Sequence, residues 1–76
     1  MKRINITRTS DGYDVALDDS IVGNIQRTDT KYFRWRVLRL SDNTVVSASY
    51  YLSSCKSWCY EYGDEYFDGV NDTNNQ

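Results

Sequence analysis

The 76-residue sequence contains no histidine, and that absence removes the commonest general base and the commonest metal ligand together. Cysteine is nearly as scarce. Cys55 and Cys59 are the two present, too few for a disulfide framework, and a four-residue spacing on one helix is poor geometry for a bridge. Free, buried thiols are expected. No run approaches the ~20 apolar residues of a membrane span, and Met1-Lys2-Arg3 leads into mixed polar sequence where a secretory signal requires an apolar stretch. The chain therefore reads as cytoplasmic, without a membrane partner. In that setting the triplets Asn5-Ile6-Thr7 and Asn71-Asp72-Thr73, which match the glycosylation pattern, carry no weight. A glycine-rich phosphate loop, a serine-centred nucleophile elbow and zinc-ligand spacing are also missing. The expectation is a protein that is not an enzyme and needs no cofactor.

Aromatic residues, in contrast, are abundant: seven Tyr, two Phe and two Trp. A chain of this length buries only about 60% of its unfolded surface, and each aromatic side chain can bury roughly 150–250 Å². A few of them can build a core that a short chain otherwise lacks. Tyrosine also suits binding surfaces, being rigid and amphipathic.

The first half alternates with period two between turn signals, the pattern of half-buried antiparallel strands. Ile4 and Ile6 share one face, and Ser10-Asp11-Gly12 supplies a turn. Tyr13, Val15 and Leu17 alternate in a second strand, which Asp18-Asp19-Ser20 ends. A third strand spans Ile21 to Gln26, with Gly23 marking a bulge or a close backbone approach. After Thr28-Asp29-Thr30, a fourth strand is expected from Tyr32 to Leu40, with Phe33, Trp35 and Val37 on one face and Tyr32, Arg34 and Arg36 on the other. Ser41-Asp42-Asn43 turns the chain into a fifth, β-branched strand from Thr44 to Tyr50.

Beyond Leu52 the period changes, because Cys55, Trp58, Cys59 and Tyr62 fall at i, i+3, i+4 and i+7, one stripe of an α-helix. Ser53 is the expected N-cap and Gly63 the residue just past the helix end. A sheet with one apolar face and a helix with one apolar stripe bury each other. The expected fold is thus α+β, an antiparallel meander of four to five strands with one amphipathic helix packed on one face near the C-terminus. Residues 1–68 form the single domain in this reading, with Tyr66 and Phe67 tucked back onto the sheet, and residues 69–76 form a disordered polar tail.

Charge is segregated. Residues 1–40 hold eight Lys or Arg and five Asp, a balance of +3, whereas residues 41–76 hold one Lys and six acids, a balance of −5, summing to the net −2. A modest total thus hides a basic and an acidic surface. The basic candidates are Lys31, Tyr32, Arg34, Arg36 and Arg39, whose alternation of cation and aromatic suits the stacking of bases and the holding of phosphates. They suit equally a solvent-facing strand beside acids such as Asp14, and the net charge of −2 is the wrong sign for a typical nucleic-acid binder. The acidic candidates are Glu61, Asp64, Glu65, Tyr66 and Asp68, interleaved with Tyr60, Tyr62 and Phe67. Carboxylates arrayed this way can stand in for phosphates in a basic groove, or simply solvate a helix end. Negative charge at a helix C-terminus opposes the macrodipole.

Asp18-Asp19 and Asp64-Glu65-Asp68 lack the alternating ligands, glycine and closing Glu of a calcium loop, so no metal is expected. Lys56 lies close enough in sequence to lower a thiol pKa. Both cysteines nevertheless sit on the apolar stripe with no histidine to activate them, so they read as core.

The order of features, a turn at Asp11-Gly12, a strand carrying Gly23, an Arg/Trp strand around Trp35, then Ser53 leading a short helix with Trp58, resembles the short accessory proteins of phages and prophages, a loose group that includes anti-CRISPR and anti-restriction inhibitors. The resemblance covers residues 1–63 in layout, size and acidity, without a diagnostic motif, and transfers no functional residue. It implies a cofactor-free protein that blocks a host protein or nucleoprotein complex by surface contact. Three roles stand: a protein-binding inhibitor using the acidic face, a nucleic-acid-binding domain using the basic strand, and a homodimeric assembly protein joined through an exposed strand. The expected oligomeric state is a monomer or a homodimer.

Overall fold

The computed structural model describes the backbone of residues 3–74 and the side chains of residues 3–67. Five antiparallel strands, β1 (Ile4–Arg8), β2 (Gly12–Leu17), β3 (Ser20–Arg27), β4 (Trp35–Arg39) and β5 (Thr44–Ser49), precede one helix, α1 (Leu52–Asn74). The sheet is a simple meander in the order β1-β2-β3-β4-β5, so β1 and β5 form its edges, and α1 packs across all five strands.

Each turn works by the chemistry of its residues. At the first, Thr9 N–H donates to the Gly12 carbonyl at 2.8 Å and Gly12 N–H donates to Thr9 Oγ1 at 3.1 Å. Asp18 and Asn43 take the left-handed conformation, with φ of 56° and 57°, which short polar side chains tolerate at turns. The Asp18 carboxylate also accepts from Arg3 N–H at 3.1 Å, tying the β2–β3 turn to the start of β1.

The registers align the apolar residues of one face. Ile4 pairs with Leu17 and Ile6 with Val15, Tyr13 with Ile25 and Val15 with Gly23, and Ile25 with Val37. Two register shifts add to this face. Val15 pairs with Gly23 but Ala16 with Ile21, leaving Val22 as the extra residue of a bulge, and Val46 is the extra residue between Ser47 and Val45. Both bulged valines pack against the core, as a bulge re-aims a side chain that strict alternation would send to solvent. The core is Ile4, Val15, Leu17, Ile25 and Val37 from the sheet with Cys55, Cys59 and Phe67 from the helix. Burying each of the larger aliphatic side chains contributes roughly 1.5–3 kcal/mol.

The helix departs from the sequence reading in three respects. It begins at Leu52, with Cys55 and Ser54 N–H groups donating to the Tyr51 carbonyl, so Ser53 lies within the first turn and is not the cap. It does not stop at Gly63 but runs to Asn74, so residues 69–74, expected as tail, have helical backbone, and residues 75 and 76 lie outside the described residues. Its buried stripe is Cys55, Cys59, Gly63 and Phe67, each four residues apart, with Leu52 and Trp58 partly buried, while Tyr62 is 42% exposed. The reason is close packing. A Cβ on Gly63 would stand 2.9 Å from Ile4 Cδ1, so the helix backbone rests on the β1 side chain. Gly63 is therefore a packing residue and not a terminator.

Gly23 plays the corresponding part in the sheet. A Cβ there would meet the Leu38 carbonyl oxygen at 2.6 Å and the Phe67 ring at 2.8 Å. The ring of Phe67, 4% exposed, occupies the space a side chain would fill. Gly23→Ala is expected to lower stability by about 1–3 kcal/mol through overpacking, read as a reduced urea midpoint, because backbone and a buried ring must both move. A midpoint equal to that of the wild type would show that the ring does not sit against β3.

Candidate functional site

Two surfaces of opposite charge emerge from this packing. The first lies on α1. With Cys55, Cys59, Gly63 and Phe67 turned inward, Trp58, Tyr62 and Tyr66 form a neighbouring stripe at the same four-residue spacing. Their rings touch in sequence along the helix: Trp58 to Tyr62 at 6.1 Å, Trp58 to Tyr66 at 5.0 Å and Tyr62 to Tyr66 at 6.5 Å. Trp58 also meets the buried Phe67 ring edge-on at 6.4 Å. These are favourable tilted and T-shaped geometries, and through Trp58 they anchor two exposed tyrosines to the core.

Glu61 and Glu65 are exposed and, four residues apart, lie on one side of the helix next to this aromatic stripe. A shallow depression of about 350 Å³ opens between Ser54, Trp58, Glu61 and Tyr62. Asp64 is exposed as well, but at ~100° per residue it projects from another side of the helix than Glu65. The Asp68 side chain, also expected in this face, lies outside the described side chains. The acidic-aromatic face is thus Trp58, Glu61, Tyr62, Glu65 and Tyr66. Trp58, at its centre, was assigned from the sequence to the core stripe alone.

The second surface is basic and differs from the sequence reading. Strand β4 begins at Trp35, leaving Tyr32 and Phe33 in the β3–β4 loop. The cause is local: the hydroxyls of Thr28 and Thr30 both donate to the Phe33 carbonyl, satisfying it outside the ladder, and Thr30 Oγ1 accepts from Phe33 N–H at 3.1 Å. Phe33 is consequently 48% exposed and does not join the core face with Trp35 and Val37. Arg34 and Arg36 do lie on the face away from the helix. Arg34 stands over the Tyr50 ring, 5.2 Å from its centroid, and Arg36 donates from Nε and Nη2 to Gln26 Oε1 at 3.2 and 3.0 Å. Asp14 is not its partner.

Arg39 must be removed from this group. It shares the helix-side parity of Trp35 and Val37, and its guanidinium donates to both Asp42 carboxylate oxygens, at 3.0 and 2.7 Å, and to the Tyr66 carbonyl at 3.1 Å. This bidentate pair clamps the β4–β5 turn to the helix, and Arg39 is accordingly structural. Lys31, Arg34 and Tyr50 line a cavity of about 460 Å³ together with Arg27 and Asp29. Arg27 and Tyr50 were not part of the sequence prediction, since 23 residues separate them and only the strand pairing brings them together.

The cysteines are core. Both are fully buried, and burial pushes the Cys59 thiol up to about 12, with the neighbouring Cys55 adding to the effect. Burial likewise raises Cys55. The Lys56 ammonium lies over the Tyr13 ring, 4.4 Å from its centroid. Such thiols stay protonated and poorly nucleophilic near neutral pH. Among the described residues no group of three or more acids or cysteines is placed to hold a metal ion, and no helix is long and apolar enough to cross a membrane.

Compared with protein-family models, with curated proteins and with solved structures, the chain matches no family model, no curated protein and no solved structure.

Two outcomes follow from this geometry. Cys55 and Cys59 are expected to react with a thiol reagent such as DTNB only as fast as the protein opens, and rapid labelling of the native protein would contradict their burial. Hydrogen bonding to Arg39 lowers the Asp42 carboxyl to about 2. A depressed folded pKa stabilises above the unfolded value near 4, and that stabilisation disappears as pH falls through about 2. Asp42→Asn is therefore expected to be less stable than the wild type at neutral pH, with the gap in urea midpoint closing between pH about 4 and about 2. A gap that persists in acid would assign the loss to something other than the ion pair.

Proposed function

We propose that this chain is a cytosolic protein-binding module whose α1 face docks onto a basic, nucleic-acid-handling partner without performing catalysis. The observation that carries this reading is the stripe of Trp58, Tyr62 and Tyr66, packed against one another in tilted and edge-to-face contacts and bordered by Glu61 and Glu65. Tyr and Trp are the residues in which binding energy concentrates at interfaces, because they bury large area at small rotamer cost. Their mutual contacts, and the Trp58 edge against Phe67, hold them in place before a partner arrives, which lowers the entropic cost of association. The carboxylates add the charge that steers a cationic surface toward the stripe.

A partner that normally grips phosphates presents such a cationic surface, and carboxylates on a rigid helix occupy it in competition with nucleic acid. This arrangement suits a phage-type inhibitor of a host nucleic-acid-processing or defence complex, acting by surface contact.

A photo-crosslinking amino acid at position 62 of the intact chain tests the reading. One dominant adduct with a basic protein is expected, and the double reversal Glu61→Lys with Glu65→Lys is expected to reduce its yield at least about tenfold, as loss of steering and complementarity does. Tyr66→Ala is expected to weaken binding to that protein by about 1–2 kcal/mol, the cost of a well-packed interface aromatic. An adduct indifferent to charge reversal, or none, would rule out the α1 face as the interface.

A further inference from the structure

The cation-lined cavity at the β3–β4 loop lies outside the α1 face and does not depend on the protein-binding reading. Arg27 closes β3, Lys31 stands in the loop and Arg34 precedes β4, so one short connection brings three positive charges around about 460 Å³ of open space. Asp29 is the carboxylate that also lines it. Among the described residues the ion pair is Arg39–Asp42, and none forms with Arg27, Lys31 or Arg34.

The loop that presents these charges is held in shape. Thr28 N–H donates to the Arg34 carbonyl at 2.8 Å and Arg34 N–H to the Ser49 carbonyl at 3.2 Å, while the Thr28 and Thr30 hydroxyls secure Phe33 from within. Arg34 is positioned over Tyr50, so its guanidinium is oriented before any ligand binds. Tyr50 itself remains 45% exposed, and Tyr32 at the loop tip 75% exposed. Cations beside exposed aromatic rings match a phosphate linked to an unpaired base, with the charge neutralised on one side and the base stacked on the other. A duplex offers the phosphates but keeps its bases stacked inside.

We infer that this cavity is a phosphate-binding site for the backbone of single-stranded nucleic acid, with Arg27, Lys31 and Arg34 as the phosphate contacts and Tyr50 as a stacking platform. It is small, and the net charge of −2 opposes long-range attraction, so binding is weak and strongly salt-dependent.

Fluorescence anisotropy with a labelled oligothymidylate of about twelve nucleotides, in about 50 mM and about 200 mM salt, tests it. The wild type is expected to bind at the lower salt and to lose most of its affinity at the higher. Arg27→Gln combined with Lys31→Gln is expected to lower the affinity about tenfold and to reduce the salt slope by about 0.7 per lost contact. Tyr50→Ala is expected to weaken binding while leaving the salt slope unchanged. Arg3→Gln, beside the β2–β3 turn at the other end of β3, is expected to bind like the wild type. All of these side chains are exposed, and coincident urea midpoints confirm that the variants fold. Absence of binding at the lower salt, or an equal loss in Arg3→Gln, overturns the site. Equal affinity for a duplex of the same length overturns the single-strand assignment, as does a response of the residue 28–34 amides to inorganic phosphate without oligonucleotide binding.

Discussion

The close approach of α1 to the sheet at two glycines organises the rest of the molecule. Gly63 lets the helix backbone rest on Ile4, and Gly23 makes room in β3 for the Phe67 ring. With those contacts made, the rotation of the helix about its axis is settled, because Cys55, Cys59, Gly63 and Phe67 must all face inward. Everything the helix shows to solvent follows, including the stripe of Trp58, Tyr62 and Tyr66 and the carboxylates beside it. A larger residue at either glycine would lift or turn the helix and disperse that face.

The two bulges serve the same constraint from the sheet side. Strict alternation would send Val22 and Val46 to the face that α1 does not cover. Val22 and Val46, as the extra residues of their bulges, join the covered face instead. Arg39 completes the join by bonding both the Asp42 turn and the Tyr66 carbonyl, which couples the last sheet hairpin to the helix. Because every strand pairs with its chain neighbour, the contacts are largely local, a topology that folds rapidly among sheet proteins.

Charge is distributed over this frame as two separate surfaces. The helix places Glu61 and Glu65 beside its aromatic stripe, and the β3–β4 loop collects Arg27, Lys31 and Arg34 around Tyr50. In the proposed reading the two faces act on different partners, the acidic-aromatic face on a basic protein and the basic-aromatic face on single-stranded nucleic acid. Neither face uses the cysteines, whose burial keeps them as core.

Much of this was legible in the residues. Period-two alternation and, for the last strand, β-branched content located the strands, the turn chemistry of Asp11-Gly12, Asp18 and Asn43 separated them, and the change of period at Leu52 announced the helix. Gly23 was readable as a bulge or a close approach and proved to adjoin the one and provide the other. Those features are local, set by backbone geometry and nearest-neighbour side chains, and so a sequence alone determines them. Three matters were decided only in the folded chain. α1 carries two adjacent stripes of four-residue spacing, and choosing between Tyr62 and Gly63 as the buried member depends on how near the sheet stands, where the residue with no side chain packs closest. Strand β4 starts late because hydroxyls three and five residues away claim the Phe33 carbonyl. The basic cavity joins Arg27 to Tyr50 across paired strands. Hydrophobic period reports which residues prefer burial, whereas the distance between elements decides which of them obtain it.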